Sequence, residues 1–201
     1  PPIHTPPLDT AEGGERMTSQ LVDVYLTRGA YSFGFDKLRR FVDICKRCGV
    51  RYYEMAHLFT QWGARFAPKI IVNVDGQERE LFGWHVSATS PEYSEFLSAY
   101  LPALKAELKS LGVLDATIWH ISDEPSFDHF DSYKAAKALV KPYLDDQYML
   151  DALSDVRFYR TGAVEHPVPA NNHVQDFIDA KVPGCGRTTA AASTRTCPIS
   201  S

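Results

Sequence analysis

The sequence has no apolar run approaching the roughly 20 residues that cross a bilayer, no excess of positive charge, and only four cysteines and three tryptophans in 201 residues. Each shortage excludes something. Without such a run no membrane span is expected. The formal net charge is -4, from 21 Lys and Arg against 25 Asp and Glu. That balance lacks the basic footprint that grips phosphate backbones, so no nucleic-acid partner is expected. Neither G-x-G-x-x-G nor G-x-x-x-x-G-K-[ST] occurs where an open-sheet nucleotide fold would need it, and no cofactor is expected. Cys45 and Cys48 form a C-x-x-C. They close an amphipathic helical pattern before Gly49, whereas a redox pair belongs at a helix start, so they read as packing and helix-flanking residues. The chain opens on Pro1 with neither the basic nor the apolar part of a signal peptide, which places any export signal upstream.

What is present suffices for one sizeable core, with 44% hydrophobic and 12% aromatic residues. Residues 1–16, rich in Pro and Gly, read as a leading segment or linker, and 17–184 carry the folded pattern. Strand patterns are expected at 21–26, 50–55, 116–121 and 148–153, with an extended stretch at 164–169. Helical patterns fall at 35–48, 90–112, 133–143 and 173–180, the second started by Ser90-Pro91-Glu92 and stopped at Gly112. Repeated strand and helix imply an α/β fold with a parallel sheet covered by helices.

Polar residues recur just past the strand patterns: Glu54 and His57, then His120, Asp123 and Glu124, then Asp151 and Asp155, then Asn171 and Asn172. A closed barrel would gather those ends into one mouth. The fold expected is therefore a TIM-type (β/α)8 barrel, incomplete in this chain because five strand candidates fall short of eight. The tail, 185–201, has almost no large apolar side chains. It reads as an aberrant segment produced by a frameshift near Gly184, or as a terminus without fixed structure.

The chemistry concentrates in Trp119-His120-Ile121-Ser122-Asp123-Glu124-Pro125. Two neighbouring carboxylates repel, so one can stay protonated as an acid while the other stays charged, a division that suits glycoside cleavage. Adjacent residues cannot flank a scissile bond from opposite sides, as an ordinary acid and nucleophile pair must. Substrate-assisted hydrolysis fits better. There the sugar's own 2-acetamido oxygen attacks the anomeric carbon, Asp123 orients that acetamide, and Glu124 protonates the leaving oxygen. An Asp-Glu dipeptide is also a common solvated turn. Trp62 and Trp84 are candidate aromatic platforms for a sugar ring. His57, His120, Glu54, Asp155 and Asn172 are substrate-binding candidates by their strand-end positions.

Four stretches, Leu8-Asp9-Thr10 with Gly13-Gly14-Glu15-Arg16, His57-Leu58-Phe59-Thr60-Gln61-Trp62-Gly63-Ala64, Phe82-Gly83-Trp84, and His120-Ile121-Ser122-Asp123-Glu124-Pro125, resemble the catalytic domain of glycoside hydrolase family 123. That resemblance implies a (β/α)8 barrel, β-N-acetylgalactosaminidase activity by the substrate-assisted route, a glycan or glycoconjugate substrate, and Asp123-Glu124 as the catalytic pair. Two alternatives stay open on the residues alone. One is a metal-dependent barrel hydrolase with His57, His120 and Asp123 as ligands and Glu124 as base. The other is a carbohydrate-binding fragment without turnover. Resequencing the coding DNA around Gly184 tests the reading of the tail: a frameshift is expected there, and an unshifted frame that encodes the same tail in related genes contradicts it.

Overall fold

A computed structural model describes residues 11–14 and 19–185. The rest of the leading segment expected at 1–16, and the tail beyond Cys185, lie outside the described residues. The chain forms β1 (Asp23–Thr27), β2 (Ala30–Gly34), α1 (Asp36–Arg47), β3 (Tyr53–Glu54), β4 (Ile70–Val74), β5 (Gln77–Phe82) and α2 (Pro91–Ser110). There follow β6 (Thr117–Ile118), α3 (Phe130–Leu144), β7 (Asp151–Leu153), α4 (Arg157–Arg160), β8 (Pro167–Pro169) and α5 (Val174–Asp179).

The helices form where their patterns require. In α2 the Ser90 hydroxyl accepts the Tyr93 amide at 3.2 Å, satisfying one orphan donor of the first turn, and Pro91 presets the first helical residue. Tyr93, Phe96, Leu97, Leu101, Leu104 and Leu108 then recur at helical spacing on the buried face. In α1, Asp36 near the start and Lys46 and Arg47 at the end complement the helix dipole, while Leu38, Val42 and Cys45 are buried. Cys45 belongs to the core and Cys48 is exposed just past the helix, as their positions in the pattern suggested.

Two groups of strands result. Strands β3, β6, β7 and β8 run parallel: β3 pairs with β6, β7 with β8, and a Trp119–Met149 bridge joins the two pairs. Strands β2, β1, β4 and β5 form a separate four-stranded sheet in that order. The closed barrel expected from sequence is not formed among the described residues: the fold is mixed α/β with small, open sheets. The physical reason lies in two hairpins. Arg28-Gly29 and Asp75-Gly76 both take positive φ at each residue (51° and 79°, 48° and 93°), the two-residue turn whose twist matches antiparallel strands. These turns fold β2 against β1 and β5 against β4, so β1, expected as a barrel strand, lies between β2 and β4.

The aromatic residues concentrate where α2 meets this second sheet. Phe96 lies 5.0 Å from Phe82, 5.1 Å from Tyr100, 5.5 Å from Tyr31 and 6.2 Å from Phe33, ring centre to ring centre. Such contacts add to the burial of each ring. Phe96→Ala should therefore destabilise the fold by about 3–5 kcal/mol in denaturant titration. A loss below about 1 kcal/mol would mean that the cluster closes over the gap or does not hold α2.

Candidate active site

The site is assembled on the parallel strands. Beyond β6 the backbone continues as 119–122, pinned on both sides. The Leu58 amide donates to the His120 carbonyl at 3.3 Å, and the Phe59 amide to the Ile121 carbonyl at 3.1 Å. The Ser122 hydroxyl donates to the Thr60 carbonyl at 2.8 Å. The chain then turns at Asp123-Glu124.

Glu124 adopts φ +40°, a left-handed conformation that costs a non-glycine residue of order 1 kcal/mol. The facing turn is strained as well, with Trp62 at φ +64° and Ala64 at φ +51°. Two backbone bonds join these turns, from the Trp62 amide to the Asp123 carbonyl and from the Ser126 amide to the Trp62 carbonyl, both 2.8 Å. Gly63 completes the fit, because a Cβ there would lie 2.6 Å from the His129 Cβ. The outcome is an exposed Trp62 ring beside a half-buried Asp123 and an exposed Glu124.

Behind the pair lies a polar cluster. His57 Nε2 is 4.0 Å from Asp123 Oδ1, and the His57 and His120 rings are 4.9 Å apart. His120 faces Glu54 through Nε2 at 2.8 Å and Asp151 through Nδ1 at 3.5 Å. The fully buried Asp151 also accepts the Ile121 amide at 3.0 Å and the Tyr133 hydroxyl at 2.6 Å. Glu124 Oε1 accepts from the Ser154 hydroxyl at 3.3 Å.

The two histidines are driven apart electrostatically. Burial opposes charge on His120, but the carboxylates of Asp151 and Glu54 outweigh it and carry its pKa up to about 9. Burial, reinforced by the charge on His120 and opposed by Glu54, pushes His57 down to about 3. Near neutral pH the pair is one imidazolium and one neutral imidazole. Its bond to His120 holds Glu54 below the usual carboxylate range. Burial pushes Asp151 upward against the bonds from His120 and Tyr133.

The structure thus brings Glu54, His57, His120 and Asp123 together, with Glu124 and Trp62 on the adjoining turns. Asp155 lies past β7 and is held by Arg157, whose charge lowers its pKa through a hydrogen bond. Asn172 is exposed in the turn before α5. Trp84 lies past β5 in the other group of strands, where its indole N–H donates to the Gly14 carbonyl at 2.8 Å and its ring packs edge-on against Phe66. Two participants were missed as site residues. Asp151 carried the strand-end signal, whereas Tyr133 looked like any other buried residue of the α3 stripe. Among the described residues, the ligand atoms that converge closely enough for a metal belong to His57, His120 and Asp151, within 4.8 Å of one another, and not to the set with Asp123. Both oxygens of Asp151 already accept hydrogen bonds.

An α/β scaffold with paired carboxylates at a parallel strand end defines a class of proteins that carry their chemistry at the strand ends. The comparisons narrow it. The family model for the glycoside hydrolase 123 catalytic domain matches residues 1–193, and the chain belongs to this family. It is similar in fold to a family 123 glycoside hydrolase from Clostridium perfringens, a structure concerned with glycolipid glycan hydrolysis, with a TM-score of 0.57 and 9% identity. That match covers 76% of this chain and 27% of the neighbour, so the chain spans about a quarter of its length. None of the curated proteins matches. No helix among the described residues is long and apolar enough to cross a membrane.

The histidine pair gives stability a predictable pH dependence. His120, raised from 6.5, contributes stability that is full below pH 6.5 and lost as pH rises through about 9. His57, lowered from 6.5, contributes stability that is present above pH 6.5 and lost as pH falls toward about 3. Denaturant midpoints measured across pH should decline on both sides, and His120→Gln should flatten the alkaline decline. Imidazole NMR titration checks the assignment independently: a His120 that titrates near 6.5 contradicts it.

Proposed function

We propose that this chain supplies the catalytic carboxylates of a retaining glycosidase that removes terminal β-linked N-acetylhexosamine, N-acetylgalactosamine foremost, from a glycan or glycoconjugate. The observation that carries the reading is the Asp123-Glu124 turn: adjacent carboxylates at a parallel strand end, one half-buried beside His57 and the other exposed on a left-handed backbone, in a chain of family 123. Adjacency is unsuited to an acid and nucleophile working from opposite sides, and suited to two roles on one face.

In the first half-reaction the acetamide carbonyl oxygen attacks the anomeric carbon as the bond to the leaving oxygen breaks. Asp123 accepts the acetamide N–H and stabilises the positive charge that develops on the resulting ring. Glu124 transfers its proton to the departing oxygen. In the second half-reaction Glu124, now a carboxylate, takes a proton from water as that water attacks the anomeric carbon and the acetamide re-forms. Two inversions give net retention. Trp62 offers the apolar platform under the sugar ring, and His57 and Glu54, the latter held from behind by the buried His120, engage its hydroxyls. Trp84, Asp155 and Asn172 are outlying substrate-binding candidates. On the same reading, the parallel run β3-β6-β7-β8 is one portion of a (β/α)8 barrel.

The acid role is tested with paired substrates. Glu124→Gln should lower kcat/KM on substrates with poor leaving groups by roughly 10²–10⁴-fold and much less on activated aryl glycosides, because only the former need full protonation. Equal losses on both classes would remove the assignment.

A further inference from the structure

We propose that Asp151, held by Tyr133, is a positioning residue for the catalytic turn: its carboxylate replaces a rung of the sheet ladder and so fixes where Asp123 and Glu124 leave the strand. This inference rests on the reading of those two residues as the working pair. The Trp119 amide donates to the Tyr148 carbonyl at 3.0 Å and the Leu150 amide to the Trp119 carbonyl at 3.0 Å, the regular pattern of parallel strands. In that pattern the next rung would run from the Ile121 amide to the Leu150 carbonyl. The Ile121 amide instead donates to Asp151 Oδ1 at 3.0 Å.

The substitution has a geometric consequence. Two strands joined by backbone rungs stay at a fixed spacing, whereas a side-chain acceptor lets the backbone depart from its neighbour. Departure begins at Ile121, two residues before Asp123. The acceptor is itself immobilised, because Asp151 is 2% exposed, its Oδ2 accepts the Tyr133 hydroxyl at 2.6 Å, and His120 Nδ1 faces its Oδ1 at 3.5 Å. Tyr133 is anchored in α3, with its ring edge-on to Phe158 at 5.2 Å. Position therefore passes from α3 through Tyr133 and Asp151 to the Ile121 amide. On the opposite side the Phe59 amide and the Thr60 carbonyl fix the Ile121 carbonyl and Ser122. Asp151 has no direct part in the chemistry, and acts by keeping the turn within reach of the reacting atoms.

Asp151→Asn keeps the shape of the side chain but replaces one acceptor oxygen with a donor. With an aryl β-N-acetylgalactosaminide as probe, kcat should fall about 10- to 100-fold, with KM within about threefold. Hydrogen exchange of the Ile121 amide should accelerate in the same protein. Tyr133→Phe should shift both readouts in the same direction by less, and it carries the test if Asp151→Asn does not fold. Unchanged kcat with accelerated exchange, or unchanged exchange with any kcat, overturns the proposal. A fall in kcat matched by an equal rise in KM does so as well. These rates are measured on the complete protein, and if it shows no turnover of this probe without substitution, the proposed function fails on its own. Ile121 exchange in the two variants then still decides whether Asp151 and Tyr133 hold the strand end.

Discussion

A carboxylate buried as completely as Asp151 must find donors inside the protein, because an unpaired buried charge is among the costliest features a fold can carry. The donors it finds organise everything around the site. One is the Ile121 amide at the end of the strand path that leads to Asp123-Glu124, one is the Tyr133 hydroxyl on α3, and His120 faces it from the strand itself. A helix, two neighbouring strands and the Asp123-Glu124 turn are thereby tied through one side chain. The turn can then hold a strained residue such as Glu124 at φ +40°, because bonds on both sides over-determine it.

Electrostatics extends outward from the same point. His120 sits between Asp151 within and Glu54 at the mouth, and its charge in turn helps to keep the adjacent His57 neutral. Charges therefore alternate from the interior to the opening: carboxylate, imidazolium, carboxylate. Beside them a neutral His57 faces Asp123. The Trp62 turn closes the arrangement on the other side, joined to the Asp123-Glu124 turn by two backbone bonds.

Much of this was legible in the sequence, and for identifiable reasons. Helical spacing placed α1, α2 and α3 because their buried stripes are regular, and the Ser90-Pro91 signal marked the start of α2. The polar residues beyond the strand patterns pointed to Glu54, His57, His120 and Asp123, which do converge. Of the second sheet only β1 carries a strand signal. Strand β5 alternates weakly, with exposed residues along most of its length, and the β4-β5 hairpin is marked only by the two-residue turn Asp75-Gly76. The β then α order has two solutions, and the closed barrel was expected because polar residues recur past the strand patterns and the nucleotide-binding glycine motifs are missing, neither of which decides whether the strands close. Tyr133 was hidden for another reason. A tyrosine in an apolar stripe looks the same whether its hydroxyl is idle or bonded to a buried carboxylate, as that of Tyr133 is to Asp151.

On the proposed mechanism the substrate's own acetamide is the nucleophile and Asp123-Glu124 serves it from one side. It is tested most directly by comparing kcat/KM of the complete protein on an aryl β-N-acetylgalactosaminide and on the matching aryl β-galactoside, identical but for a hydroxyl in place of the acetamide. Turnover of the first and almost none of the second is expected. Ready cleavage of the galactoside would contradict it.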